Sequence, residues 1–384
     1  MSTAVTTRVC RELRLRDFRN FAELELTLPA EGVAIIGDNG SGKTNLLEAL
    51  YYLEIFRSFR GAPDEQLVRM REGAFHIRGR FEDLEAGATC EITAAYERRT
   101  RRKRVAVNGA VPERIGEALG GVGAVIFSPS DVAIVAGAPS ERRRFLDIVL
   151  SLNQPGYLPA LQRYRQILKQ RNAMLRDGAP AALLAAWDEG LVQWGARLVV
   201  ARTEWVAERA ESFARRYAAI AGGATARLAY AGAIPIAGGG DAVPTIEAAA
   251  DAFRAELARV AVRERERGVT LVGPHRDDLA FTFETAGGEA DLREFGSGGQ
   301  QRTAAIALRM VEAETIREAR QREPIILLDD LFAELDPGRS RRILELLEAE
   351  RRGQAILTAP KASDLEPRNG TLPHWRIANG KVFS

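Results

Sequence analysis

The stretch GDNGSGKTN, residues 37–45, constrains this chain more than any other. It puts three glycines, a lysine and a threonine where an apolar strand-like run, GVAII, gives way to an apolar helical run, LLEALYYL. Gly37, Gly42, Lys43 and Thr44 fit the pattern G-x-x-x-x-G-K-[ST]. Glycines let the backbone turn its N–H groups inward at the positive end of a helix, Lys43 can reach β- and γ-phosphates, and the Thr44 hydroxyl can ligate Mg²⁺. A Gly-rich strand-to-helix turn without a ligand is the plainer reading. The strand before the motif and the helix after it, expected over residues 43–55, favour phosphate binding.

A chain that binds a nucleotide at this loop needs a metal ligand on a neighbouring strand. PIILLDDLFAELD, residues 324–336, is an apolar run ending in two carboxylates, the pattern of a buried parallel strand that delivers such ligands beside a phosphate loop. Asp329 is expected to hold Mg²⁺ through water, and Asp330 to orient or deprotonate the attacking water. The competing reading is an Asp-rich turn that caps the helix after Pro337. FGSGGQQRT, residues 295–303, opens another helical run, so Ser297 and the amides around Gly298 and Gly299 imply a second anion site, the plainer reading being a flexible loop with a Ser N-cap. One ATP does not need two such sites from one chain, which points to service in another subunit.

Around these motifs the patterning changes twice. Residues 8–36 and about 75–109 alternate like short strands, and GAVIFSP reads as one more. From Pro139 to about Ala221, apolar residues recur at helical spacing in an Ala-, Leu-, Arg- and Glu-rich stretch. Strand-like patterning is expected to return at VTLVG, residues 269–273. The fold class expected is α/β: a P-loop head at 1–135 and 268–384, interrupted by a mostly helical lobe at 136–267.

The order of P-loop, helical insert, SGGQ helix and acidic strand resembles the SMC-like branch of the ABC-type ATPases. GDNGSGKTNLLEALYYL, VGPHRDDL, FGSGGQQRTAAIALRM and PIILLDDLFAELD together are similar to the bacterial RecF family, with LRDFRNF and GAPSERRRFLD also family-like. The resemblance implies an SMC-type head without a long coiled coil, dimerising around two ATP molecules. It implies that Gly37, Asp38, Asn39, Gly40, Ser41, Gly42, Lys43, Thr44 and Asn45 bind ATP, with Ser297, Gly298, Gly299 and Gln300 touching the γ-phosphate from the opposite protomer. Asp329 and Asp330 would carry Mg²⁺ and hydrolysis, and Asp336 would lie in the loop linking the two sites. Thr358 and Ala359 stand where transporters place a γ-phosphate-sensing histidine, which implies slow turnover. The implied setting is recombinational repair and replication restart on gapped DNA, with RecR and RecO as partners.

ERRTRRKRVAVNG, residues 97–109, concentrates Arg98, Arg99, Arg101, Arg102, Lys103 and Arg104, a candidate for sequence-independent contacts to DNA phosphates or else a solvated hairpin. The concentration matters because net charge is only +2, so any basic surface has to be local. His275 in GPHRDD lacks a second ligand cluster for a metal and reads as a hydrogen-bonded turn bracing the nucleotide domain. Trp187, Trp194 and Trp205 share a helical face and read as core. Cys10 and Cys90 have neither zinc nor disulfide spacing, no apolar run reaches the roughly 18 residues of a membrane span, and a cytoplasmic protein is expected. A P-loop small-molecule kinase and a transporter-type ATPase subunit are the alternatives; neither class explains both the SGGQ helix and the insert.

Overall fold

Apolar residues at helical and alternating spacing sort the chain, in a computed structural model, into two compact units: residues 1–131 with 312–384, and residues 132–311. The structure describes residues 5–235, 243–331, 336–350, 353–361, 372–378 and 380–383.

The first unit opens with β1 (Thr6–Phe18), β2 (Phe21–Thr27) and β3 (Gly32–Ile36), then α1 (Lys43–Ile55), β4 (Ala74–Asp83), β5 (Ala88–Glu97), β6 (Arg102–Val107) and β7 (Ala124–Phe127). The second comprises α2 (Val132–Ala136), α3 (Pro139–Asn153), α4 (Tyr157–Arg176), α5 (Ala181–Ala221), β8 (Ala226–Ala231), α6 (Ile246–Arg267), β9 (Asp278–Thr285), β10 (Gly288–Asp291) and α7 (Leu292–Phe295). Helix α8 (Gly298–Arg320) begins in the second unit and ends in the first. The first unit closes with β11 (Arg322–Glu323), β12 (Ile325–Leu328), α9 (Pro337–Glu350), β13 (Ala355–Ala359), β14 (His374–Ala378) and β15 (Lys381–Phe383).

Two sheets build the first unit. One is largely antiparallel, in the order β11-β1-β4-β5-β6 with β2 also on β1. The other runs β15-β14-β3-β13-β12-β7, parallel except for β15. Every residue of β7, β12 and β13 is buried, as expected for parallel strands covered on both faces. Gly32, at the start of β3, has φ 106°, and a Cβ there would sit 1.8 Å from the Ala355 carbonyl. Only glycine lets β3 lie this close to β13.

In the second unit three helices pack by their apolar stripes, and β8, β9 and β10 form a small antiparallel sheet. Trp205 is buried as expected, whereas Trp187 and Trp194 are half-buried, the latter under the Arg197 guanidinium at 5.2 Å. The division differs from the sequence expectation at its second boundary: residues 268–311 group with the helical unit, where β9 pairs with β8 over residues 278–283. Nor does VTLVG form a strand. Its backbone groups are taken by side chains, Thr270 N by Asn172 Oδ1 at 2.8 Å and Leu271 N by Glu264 Oε1 at 2.7 Å, so no ladder is needed to satisfy them.

His275 follows that turn and braces the second unit. Its Nε2–H donates to the Thr270 carbonyl at 3.1 Å, leaving Nδ1 to accept from Tyr164 OH at 2.6 Å. Burial depresses its pKa to about 4, which keeps this neutral tautomer. Nearby, the buried Arg202 guanidinium meets Asp147 at 2.8 Å, Asp277 at 3.3 Å, the Tyr157 hydroxyl at 2.9 Å and the Pro274 carbonyl at 2.6 Å. Asp278 takes a bidentate pair from Arg142 at 2.6 and 2.8 Å. Arg202→Ala takes the facing guanidinium from the buried Asp277 carboxylate, which keeps only hydrogen bonds from Tyr230 and the Ala233 amide, so the variant should lose about 3–5 kcal/mol of stability in urea unfolding; a loss under about 1 kcal/mol would show that the network contributes little.

Candidate active site

Helix α1 begins with nothing covering its N-terminus. Its N-cap is Gly42, no side chain caps it, and its first turn holds no acid. The first amides of the helix therefore face an open pocket with the helix dipole behind them. Gly42 has φ 115°, and a Cβ there would lie 2.6 Å from Asn20 Nδ2. Gly37 is equally constrained, since a Cβ would come within 2.4 Å of the Ile377 carbonyl.

Asn20, in the turn between β1 and β2, acts as a clip on this loop. Its Nδ2 donates to the Ser41 carbonyl at 3.2 Å and its Oδ1 accepts from Asn45 Nδ2 at 2.8 Å. The same turn is fastened to α1 by Arg19, whose guanidinium grips the buried Glu48 carboxylate at 2.8 and 3.0 Å.

Strand order brings the acids to the same place. β13 lies between β3 and β12, so the loops leaving β3 and β12 open at one edge of the sheet. Thr44 Oγ1 donates to Asp329 Oδ1 at 2.8 Å. Lys43 Nζ donates to the Gly37 and Asp38 carbonyls at 2.7 and 3.2 Å and stands 3.6 Å from Asp330 Oδ2. Burial, reinforced by the neighbouring Asp330 charge, pushes the Asp329 carboxyl up to about 6, although hydrogen bonds from Thr44 and Thr358 oppose the shift.

Asn39, Gly40, Gly42, Lys43, Thr44, Asn45, Arg60, Pro129, Asp330 and Pro360 line a cavity of about 500 Å³. A hydroxyl and a carboxylate converging beside an ammonium are hard oxygen donors that suit Mg²⁺ next to phosphate oxygens. Thr44 and Asp329 would hold the ion, which would supply positive charge to stabilise bound phosphate oxygens.

Lys43, Thr44, Asp329 and Asp330 are thus brought together, with Gly37, Asp38, Asn39, Gly40, Ser41, Gly42 and Asn45 forming the loop around them. The signature residues lie in the second unit. There Ser297 Oγ accepts from Gln300 N at 3.3 Å and Gln300 Oε1 accepts from Ser297 N at 2.8 Å, a reciprocal cap at the start of α8 that leaves Ser297 and Gly298 exposed. Asp336 is exposed and caps α9, accepting from Arg339 N at 3.0 Å, while residues 332–335 before it lie outside the described residues.

The basic hairpin divides by role. Arg98 donates to the Glu65, Val68 and Glu72 carbonyls, and Lys103 pairs with Asp64 at 2.7 Å, so these two hold the β5–β6 turn in place. Arg99, Arg101, Arg102 and Arg104 are exposed. Two residues of the cavity region escaped sequence reasoning. Arg60 reaches the cavity from a loop with no chemical pattern, and its Nη1 is 3.5 Å from Asn45 Oδ1. Asn20 lies in LRDFRNF, where only the family-like wording marked it.

The sheet order, the P-loop and the acid pair define an ABC/SMC-type P-loop ATPase head carrying a helical lobe. A family model described as "AAA domain, putative AbiEii toxin, Type IV TA system" matches residues 33–92 and 228–359. The DNA replication and repair protein RecF of Salinibacter ruber is 38% identical over 374 residues, covering 95% of this chain and 88% of that one. RecF of Symbiobacterium thermophilum is 38% identical over 376 residues, covering 96% of each. The chain belongs to the RecF family. Among solved structures, the recombination mediator protein RecF with ATP, of the RecFOR pathway, matches with a TM-score of 0.88 at 28% identity, covering 100% of this chain and 99% of that one. An Smc head domain from Pyrococcus furiosus shares the fold, with a TM-score of 0.55 at 16% identity over 98% of this chain and 95% of that one.

Gly42→Ala forces a side chain into a left-handed position against Asn20. ATP affinity, read by calorimetry, should fall at least tenfold; binding within about twofold of wild type would mean that the loop relaxes to accept the methyl.

Proposed function

We propose that the chain is an ATP-gated DNA clamp of recombinational repair and replication restart. ATP closes a homodimer on gapped or junction DNA, and slow, DNA-stimulated hydrolysis opens it for release. The observation that carries this reading is the convergence of Lys43, Thr44 and Asp330 on one cavity, with Asp329 hydrogen-bonded to Thr44 beside it. Lys43 would neutralise developing charge on the phosphates, and Asp330 would orient or deprotonate the attacking water. Ser297, Gly298, Gly299 and Gln300 would meet the partner protomer's γ-phosphate, a role supported by their exposed helix start. Asp336 would lie along the same interface.

Among the described residues no helix is long and apolar enough to cross a membrane, which accords with the proposed cytoplasmic setting. The proposed partners RecR and RecO follow from the RecFOR pathway of the solved RecF proteins, and loading of recombinase is the proposed outcome. Neither a small-molecule kinase nor a transporter subunit is supported by near-full-length identity to RecF proteins.

Asp330→Asn removes the proposed base and leaves Asp329 in place. Sedimentation of this variant should show a dimer only with ATP–Mg²⁺, and that dimer should retain a gapped duplex; a monomer indifferent to ATP would overturn the clamp. Replacing Arg99, Arg101, Arg102 and Arg104 with alanine should weaken duplex binding at least tenfold and flatten its salt dependence, with ATP affinity unchanged. An unaltered salt slope would make the hairpin a solvated face.

A further inference from the structure

β13, the strand between the two functional loops, carries a side chain that belongs to neither loop. Thr358 is 1% exposed and takes no part in lining the cavity. Its Oγ1 accepts from the Asp330 backbone N–H at 3.0 Å. The same oxygen is 3.1 Å from Asp329 Oδ1, 3.3 Å from Asp330 Oδ1 and 3.4 Å from the Leu328 carbonyl. A hydroxyl has one hydrogen to give, so it serves one of these acceptors at a time.

The contact matters because Asp330 sits at φ 42°, a left-handed position that non-glycine residues rarely occupy. That turn departs from the line of β12 immediately after Asp329. It aims the two consecutive carboxylates differently: Asp329 towards Thr44, and Asp330 towards Lys43 and the cavity. The Asp330 amide is bonded to β13 through a side chain, and without that bond it would be left to find another acceptor in a largely buried site.

We propose that Thr358 is a positioning residue for hydrolysis: from the neighbouring strand its hydroxyl holds the Asp330 amide, and with it the turn that aims the two carboxylates, without lining the cavity. The proposal rests on the ATPase reading above. It also defines what stands in place of a γ-phosphate-sensing histidine on this strand. Thr358 faces the acids, and Ala359 has no polar side-chain atom, so neither supplies a direct contact to phosphate. Hydrolysis is then governed by how well Asp330 is held.

Serine and alanine at this position differ by the hydroxyl alone, which makes the pair the test. ATP turnover, ATP affinity by calorimetry and amide hydrogen exchange of the segment carrying Asp330 are measured for wild type, Thr358→Ser and Thr358→Ala. The alanine variant should lose roughly tenfold to a hundredfold in kcat, because a small misplacement of a reacting group costs that much. Its ATP affinity should stay within about twofold of wild type, and its Asp330 amide should exchange faster. The serine variant should recover turnover and slow exchange. Equal kcat in the alanine variant and wild type overturns the proposal, as does a serine variant as impaired as the alanine one. A parallel loss of ATP affinity also overturns it, because that would make Thr358 part of nucleotide binding. A wild-type protein without ATP turnover would instead overturn the ATPase reading itself, and the exchange measurement would still report whether the hydroxyl holds the turn.

Discussion

Close parallel pairing across β13 is the constraint on which the site depends. Ala359 stands level with Ile36 on one side, and Leu357 level with Leu328 on the other, so the chain leaves β3 and β12 at the same edge of the sheet. Residues almost 300 positions apart meet there as a consequence, Thr44 against Asp329. β3 and β12 are apolar throughout, β13 has Thr358 as its one polar side chain, and the acids appear only past the end of β12. That division lets hydrophobic burial hold the sheet while the carboxylates remain at the cavity. Gly32 is a necessary part of it, since any side chain at that position would drive β3 away from β13.

Polar groups at this edge are held by one another. Lys43 is nearly buried, yet loop carbonyls and Asp330 surround it, and Asp329 is buried against two hydroxyls. Such an arrangement is costly to build and stiff once built, because each group left unpaired would carry a large desolvation penalty. The β1–β2 turn extends the bracing to the other face of the phosphate loop. Asp17 and Arg19 both adopt positive φ, at 51° and 53°, and that bend presents Asn20 to the loop and Arg19 to Glu48.

The second unit solves a different problem with similar means. Around residues 270–278 the chain forms an irregular turn, and side chains from the helices replace the missing ladder: Asn172, Glu264, Tyr164 and Arg202 all bond to it. Arginine dominates the cations of the protein, and many are absorbed in this way. In the basic hairpin Arg98 and Lys103 bond to the fold, while Arg98, Arg99, Arg101, Arg102 and Arg104 are all exposed.

What the sequence determined by itself was local. The P-loop's glycine spacing, the helix from Lys43 to Ile55, the apolar run before Asp329 and the helical stretch after Pro139 are written in periodicity and residue type, because each forms from neighbours along the chain. The family-like order of motifs extended that reading to the whole head. Tertiary structure decided the rest. β9 groups with the helical unit because it pairs with β8, a long-range choice that no local pattern carries. The loss of a strand at VTLVG arose from distant side chains that satisfied its backbone. Arg60, Asn20 and the hydroxyl of Thr358 became part of the site only through position, since their meaning lies in which strands and turns are packed side by side.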